Sequence, residues 1–83
     1  MDSRLRSDKA AFYRIKVQGD LSPSWSDYLG GLDISIKNEQ DSPYTILQGE
    51  LLDQAALMGV LDSLYNLGYL ILEIVCQPTL SET

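Results

Sequence analysis

The spacing of hydrophobic positions changes once along the chain and separates three strand-like segments from a helix. Apolar and polar residues alternate over residues 12–18 and again over 32–37, which is typical of strands with one buried face. The segment "YTILQGEL" (44–51) predicts a third strand, weakened or bulged near Gly49. The segment "YLILEIVCQ" (69–77) predicts a last strand with Ile71, Glu73 and Val75 on one face and, on the other, Leu70, Leu72, Ile74 and Cys76. Both faces are largely apolar, and such a strand is expected to be covered on both.

Residues 51–68 switch to the helical period. Apolar residues recur there at spacings of three and four and form one stripe, as in an amphipathic helix. Asp53 occupies the expected N-cap position, and Gly68 the left-handed position after the last turn. Gly59 interrupts the helix, which predicts a close approach there by the sheet or by a partner chain.

The order of elements is therefore β-β-β-α-β, and it predicts an α+β fold with one helix on one face of a mostly antiparallel sheet. A meander of the first three strands, followed by a right-handed crossover, predicts the sheet order 3-2-1-4. Glu73 then lies on the strand pair that carries Arg14 and Lys16. The long apolar last strand lies at an edge, which favours pairing with a second copy.

The chain of 83 residues is expected to form a single domain over residues 11–77. Residues 1–10 predict a disordered N-terminal arm, and residues 78–83 a frayed tail. The N-terminus lacks the apolar segment of a signal peptide, and no apolar run approaches 18 residues, so the expected location is the cytoplasm and no membrane partner is expected.

The charge is acidic and unevenly placed. The formal net charge is −6, which argues against nucleic acid as a partner. All six Lys and Arg residues lie within positions 1–37, whereas the chain from Asn38 onward carries seven carboxylates and no basic residue. This division is typical of a solvated polar surface, and it also fits a two-signed surface for a protein partner.

The composition removes most kinds of catalytic chemistry. The chain has no histidine, the commonest general base and catalytic metal ligand. Its one cysteine, Cys76, is predicted to be a buried, inert thiol on the last strand. No phosphate-binding glycine motif and no calcium-loop spacing is present, so we expect no catalytic residue, metal or cofactor.

The segment "SPSWSDYLGG" (22–31) predicts a short helical turn near residues 22–30. Ser22 and Pro23 are typical of a helix start, and the glycine pair of a helix end. Trp25, Tyr28 and Leu29 fall at positions i, i+3 and i+4 of that turn. The aromatic side chains are expected to cover the core as a lid, to anchor a protein partner, or to line a small-molecule pocket.

The residues "VQGDLSPSWSDYLGGLDI" and "LQGELLDQAALMGVLDSLYNLGYLILEIV" carry a family pattern. They share W-x-x-Y-L-G-G and L-x-G-x-L-x-D-Q-A-A-L-x-G-V-L with a group of small uncharacterised bacterial proteins, which this chain resembles from Tyr13 to Val75. The resemblance implies a soluble bacterial protein and brings no activity, ligand or catalytic residue with it.

These observations favour a non-enzymatic protein-interaction or adaptor module that forms a homodimer. An alternative is a sensor that binds a small apolar ligand between helix and sheet, near Trp25, Tyr28 and Gly59. The candidate partner contacts are the two aromatic residues of the helical turn, two basic residues of the first strand and two apolar residues of the last: Trp25, Tyr28, Arg14, Lys16, Ile71 and Val75.

Overall fold

The computed structural model describes residues 10–78, which form one four-stranded antiparallel sheet with a helix on one face. The elements in chain order are β1 (Ala11–Gln18), a 3-10 helix (Pro23–Leu29), β2 (Asp33–Glu39), β3 (Ser42–Leu51), α1 (Gln54–Asn66) and β4 (Ile71–Pro78). The α+β class, the single main helix and the short helical turn are therefore confirmed. The predicted arm and tail lie outside the described residues, apart from residues 10 and 78.

The strands follow the order β2-β3-β1-β4. The prediction placed β4 at an edge beside β1, which is confirmed, but it exchanged the positions of β2 and β3. The neighbour of β1 on its other side is β3, with Ile15 opposite Leu47. The predicted meander of the first three strands is wrong. The connection from β1 to β2, residues 19–32, contains the 3-10 helix and is long enough to pass across β3. β2 and β3, joined by the short turn at Gln40 and Asp41, are the one pair of consecutive described strands that also lie side by side in the sheet.

The core lies between the sheet and the layer formed by α1 and the 3-10 helix. β1 contributes alternate residues that are almost fully buried, because it is flanked by strands on both sides. α1 contributes the apolar stripe seen in the sequence. The residues with 0% exposure in this apolar cluster are Ile15, Val17, Leu21, Leu29, Leu47 and Leu64.

Both ends of α1 are closed by hydrogen bonds. The Asp53 carboxylate accepts from the Ala56 N–H at 2.8 Å. At the other end Gly68 has φ +88°, and its N–H and that of Tyr69 donate to the carbonyls of Tyr65 and Leu64, each at 3.0 Å. This pair of bonds is a Schellman motif, which satisfies carbonyls that the helix leaves unpaired.

A buried hydroxyl joins the start of the β1–β2 connection to the sheet. Thr45 of β3 is fully buried, and its Oγ1 accepts from the Leu21 N–H at 3.0 Å. The same hydroxyl donates to the Gly19 carbonyl at 2.7 Å. One side chain thereby satisfies two backbone groups of a segment that has left the sheet.

Candidate functional site

The edge strand β4 gathers four of the six predicted contact residues along its pairing with β1. Arg14 lies opposite Val75, and Lys16 lies opposite Glu73. Three of these contact residues, Arg14, Lys16 and Val75, lie with Glu73 on the face of the sheet away from α1, named here the open face. The strand pair therefore presents two basic residues, one carboxylate and one apolar side chain to solvent.

Ile71 lies on the other face, contrary to the prediction that grouped it with Glu73 and Val75. The register shifts between Lys16 and Val17, so that Glu73 pairs with Lys16 but Ile71 pairs with Val17. The extra residue at this bulge reverses the alternation of side chains. Ile71 consequently packs against the buried core and is only partly exposed.

The outer edge of β4 is apolar and exposed on both faces of the sheet. Four exposed apolar residues, one just before the strand and three within it, form this surface, named here the β4 patch: Leu70, Leu72, Ile74 and Val75. Their exposed fractions run from 36% to 60%. The expectation that this strand is covered on both faces is thus not met within one chain, because α1 and the 3-10 helix cover the middle of the sheet and leave its β4 edge open.

The open face also carries a shallow cleft beside the β2–β3 turn. Its volume is about 300 Å³, and the Lys16 ammonium lies on its lining, 4.5 Å from the centre of the Tyr44 ring. The remaining lining residues come from the ends of the four strands and from the β2–β3 turn: Gln18, Glu39, Gln40, Ser42, Pro43 and Leu72. The cleft lies on the opposite side of the sheet from the helix, so it differs from the ligand site expected near Gly59.

Cys76 is exposed, contrary to the predicted buried thiol, because β4 has no neighbour on its outer side. It lies opposite Tyr13, which is buried. Burial raises the pKa of the Tyr13 phenol, and the hydrogen bond and charge interaction with Cys76 raise it further. Tyr13 is therefore neutral at neutral pH, as a phenol beside an apolar core must be.

The aromatic pair of the 3-10 helix faces solvent rather than the core. Trp25 is 38% and Tyr28 58% exposed, and their rings meet edge to face with centres 5.4 Å apart. The lid interpretation assumed 3.6 residues per turn, which would place Leu29 near the aromatic side. With three residues per turn, Trp25 and Tyr28 align with each other, and Leu29 alone points into the core.

Serine hydroxyls and a glycine hold this 3-10 helix in place. The Ser22 hydroxyl accepts from the Ser24 N–H at 3.2 Å, and the Ser26 hydroxyl donates to the Leu32 carbonyl at 2.7 Å. Gly30 ends the helix with φ +75°. The serines therefore act on the backbone, and the aromatic side chains are left as the available contact surface.

Gly59 lies on the exposed side of α1, contrary to the expected close approach by the sheet. A Cβ added at this position meets no atom within 4 Å. Met58 and Tyr65 are also exposed on the helix, at 58% and 76%. A close approach by the sheet is therefore wrong, and an approach by a partner chain stays a prediction.

We expect Gly59→Ala to stabilise the isolated chain by about 1 kcal/mol, because alanine restricts the unfolded backbone and favours the helix. The measurement is urea unfolding of both proteins at low protein concentration. A loss of stability would show that the helix is distorted at Gly59 or approached more closely than its surroundings indicate.

Sequence reasoning missed most of the exposed apolar residues around β4. Phe12 lies on the open face opposite Gln77, next to the β4 patch. Leu70, Leu72 and Ile74 were assigned to one apolar face of the last strand without being named as contacts. The available signal was the edge position itself, since an edge strand outside the cover of the helix exposes both of its faces.

The described residues contain neither a metal-binding cluster nor a membrane-spanning helix. Among residues 10–78 no three His, Cys, Asp or Glu side chains are grouped so as to hold a metal ion. In the same part of the chain, no helix combines the length and apolar character needed to cross a membrane.

Comparison with known proteins identifies a family and no individual relative. No curated protein and no solved structure matches the chain. A family model described as Domain of unknown function (DUF8691) matches residues 12–75, which span β1 to most of β4 and include both the edge strand and the aromatic pair. The chain therefore belongs to the DUF8691 family.

Proposed function

We propose that this protein is a non-enzymatic protein-interaction module that binds its partner by adding a strand to the outer edge of β4. The observation that carries the proposal is the β4 patch on an unpaired edge. At a sheet edge, alternate backbone N–H and C=O groups point outward without partners. An added strand satisfies them and covers apolar side chains above and below the sheet at once.

The two edges of the sheet differ in the way this proposal requires. β2, the other edge strand, carries three charged side chains within seven residues: Asp33, Lys37 and Glu39. β4 carries Glu73 as its one charged residue. Charged side chains on an edge oppose pairing with another strand, so β2 is protected against association and β4 is not.

The composition supports an interaction module rather than an enzyme. The chain contains no histidine, and its single cysteine lies at the strand edge rather than beside a base. Arg14 and Lys16 on the open face lie next to β4, within a chain of net charge −6. They offer positive charge to a partner strand in an otherwise acidic protein.

A designed variant and a peptide probe test the β4 edge. The probe is a fluorescein-labelled peptide with the sequence of residues 70–77 and serine in place of Cys76. We expect it to bind the wild-type protein and to bind Val75→Lys at least tenfold more weakly, because the new charge lies on the pairing strand. Fluorescence anisotropy measures the binding.

Asn38→Lys is the matched control, since it adds the same charge to the exposed surface of the opposite edge strand. We expect it to bind the peptide as the wild type does. Circular dichroism checks that both variants fold. Equal binding by Val75→Lys and Asn38→Lys would contradict the proposal, and a stoichiometric small molecule retained in native mass spectrometry would favour the apolar-ligand sensor instead.

The bacterial origin and the cytoplasmic location that the sequence predicts remain predictions. Their support is the resemblance to small bacterial proteins and the polar N-terminus.

A further inference from the structure

We infer that the strand added to β4 is β4 of a second copy, antiparallel to the first, with Val75 of one copy directly opposite Val75 of the other. This inference rests on the proposed role of the β4 edge. It names the partner and the register, which the proposed function leaves open.

A second β4 strand has the apolar residues that a strand pairing with β4 must bring. A partner strand must bring apolar side chains to both faces, because Ile74 is exposed on the helix side and Val75 on the open side. Of the four described strands, β1 and β3 are interior, and β2 carries charge along its exposed positions. β4 is the strand that combines an open edge with apolar residues on both faces, and a two-fold axis brings two such strands together.

Glu73 selects among the possible registers. A two-fold axis at Glu73 would place two carboxylates directly opposite each other, which is destabilising. An axis at Ile74 would place each carboxylate opposite Val75 of the second copy. An axis at Val75 places each carboxylate opposite Gln77, whose amide N–H can donate to it, and pairs the two valines.

With Val75 opposite Val75, the helix-side faces of the two sheets lie on the same side of the dimer. With Val75 opposite its counterpart, Ile74 of one copy lies opposite Cys76 of the other, and both are exposed on the helix side of the single chain. Directly opposed residues in an antiparallel pair point to the same face. The two helices therefore lie on one side of a continuous eight-stranded sheet, and the two open faces form the other side.

Single cysteines measure the register. In a Cys76→Ser background, we place one cysteine at position 73, 74 or 75, as Glu73→Cys, Ile74→Cys or Val75→Cys, and oxidise with copper–phenanthroline in air. Opposed Cβ atoms lie about 5 Å apart in an antiparallel pair. Residues displaced by four positions are separated by about 13 Å along the strand.

We expect Val75→Cys to form the disulfide-linked dimer at least tenfold faster than Glu73→Cys, and also faster than Ile74→Cys. In sedimentation, we expect the wild type and Asn38→Lys to be dimers and Val75→Lys to be a monomer. Fastest cross-linking at position 73 or 74 would overturn the register. A wild type that stays monomeric at high micromolar concentration would overturn the second copy as partner, and peptide binding would then decide separately whether the β4 edge accepts a strand at all.

Discussion

Gly30→Ala is expected to lower the free energy of unfolding by about 3 kcal/mol, which combines the cost of a left-handed backbone at alanine with that of a crowded core. Gly30 has φ +75° at the end of the 3-10 helix. A Cβ built there lies 3.0 Å from Val60 Cγ2 and 3.1 Å from Leu51 Cδ2. Both contacts involve buried side chains, so neither neighbour can move freely away. Urea unfolding measures the change.

Gly31→Ala provides the matched control. Gly31 has nearly the same backbone conformation, with φ +74°, but an added Cβ meets nothing within 4 Å. We expect it to cost only the backbone term, about 1 kcal/mol. Equal losses in the two variants would show that the close packing of the 3-10 helix on α1 and β3 contributes nothing, and that the glycine pair serves only the turn.

Thr45→Val is expected to destabilise the fold by about 3 kcal/mol, although it changes neither the shape nor the size of the side chain appreciably. The hydroxyl is fully buried, accepts from the Leu21 N–H and donates to the Gly19 carbonyl. Valine leaves both backbone groups without this partner, and an unsatisfied buried polar group costs about 1–3 kcal/mol. Thermal unfolding followed by circular dichroism measures the change.

Thr45→Ser keeps the hydroxyl and removes the methyl group. Its expected cost is about 1 kcal/mol, that of one buried methyl group. The ranking wild type, serine, valine identifies the hydrogen bonds as the main contribution of this side chain. If valine proved as stable as threonine, the segment after β1 would have to satisfy its backbone groups in another way.

The sequence was informative wherever local chemistry decides the structure. The alternating segments, the apolar stripe of α1 and the polar N-cap residue Asp53 each follow from one period or one capping preference, and the fold class was predicted from them. The position of β4 beside β1 also followed, since a crossover helix returns the chain to the far side of the sheet.

The errors arise where distant parts of the chain determine the outcome. The exchange of β2 and β3 depends on the path of residues 19–32, which has no periodic signature. The 3-10 rather than α-helical winding of residues 23–29 turned Trp25 and Tyr28 toward solvent. The bulge opposite Lys16 moved Ile71 to the core face. One inserted residue reverses a strand's faces, and no alternation pattern records it.

The candidate site was predicted in part. Arg14, Lys16 and Val75 were placed on the strands that the structure pairs, because alternation identifies a strand's exposed face once its neighbours are known. The wider apolar surface at Leu70, Leu72 and Ile74 depends on how far α1 extends over the sheet. That coverage is a property of the packed molecule, and the sequence of β4 alone predicted the opposite.

The central position of β1 determines when the domain can complete its fold during synthesis. β1 is made first, yet it pairs with β3 and with β4, and its contact with β4 joins Ala11 to Pro78. Such distant pairs carry a large loop-closure cost and form late. The β2–β3 hairpin and α1 can form early from local contacts, but β1 lacks its second neighbour until the ribosome has released β4. A nascent chain that ends before Ile71 therefore exposes the backbone edge of its most buried strand, and we expect it to depend on chaperones for solubility.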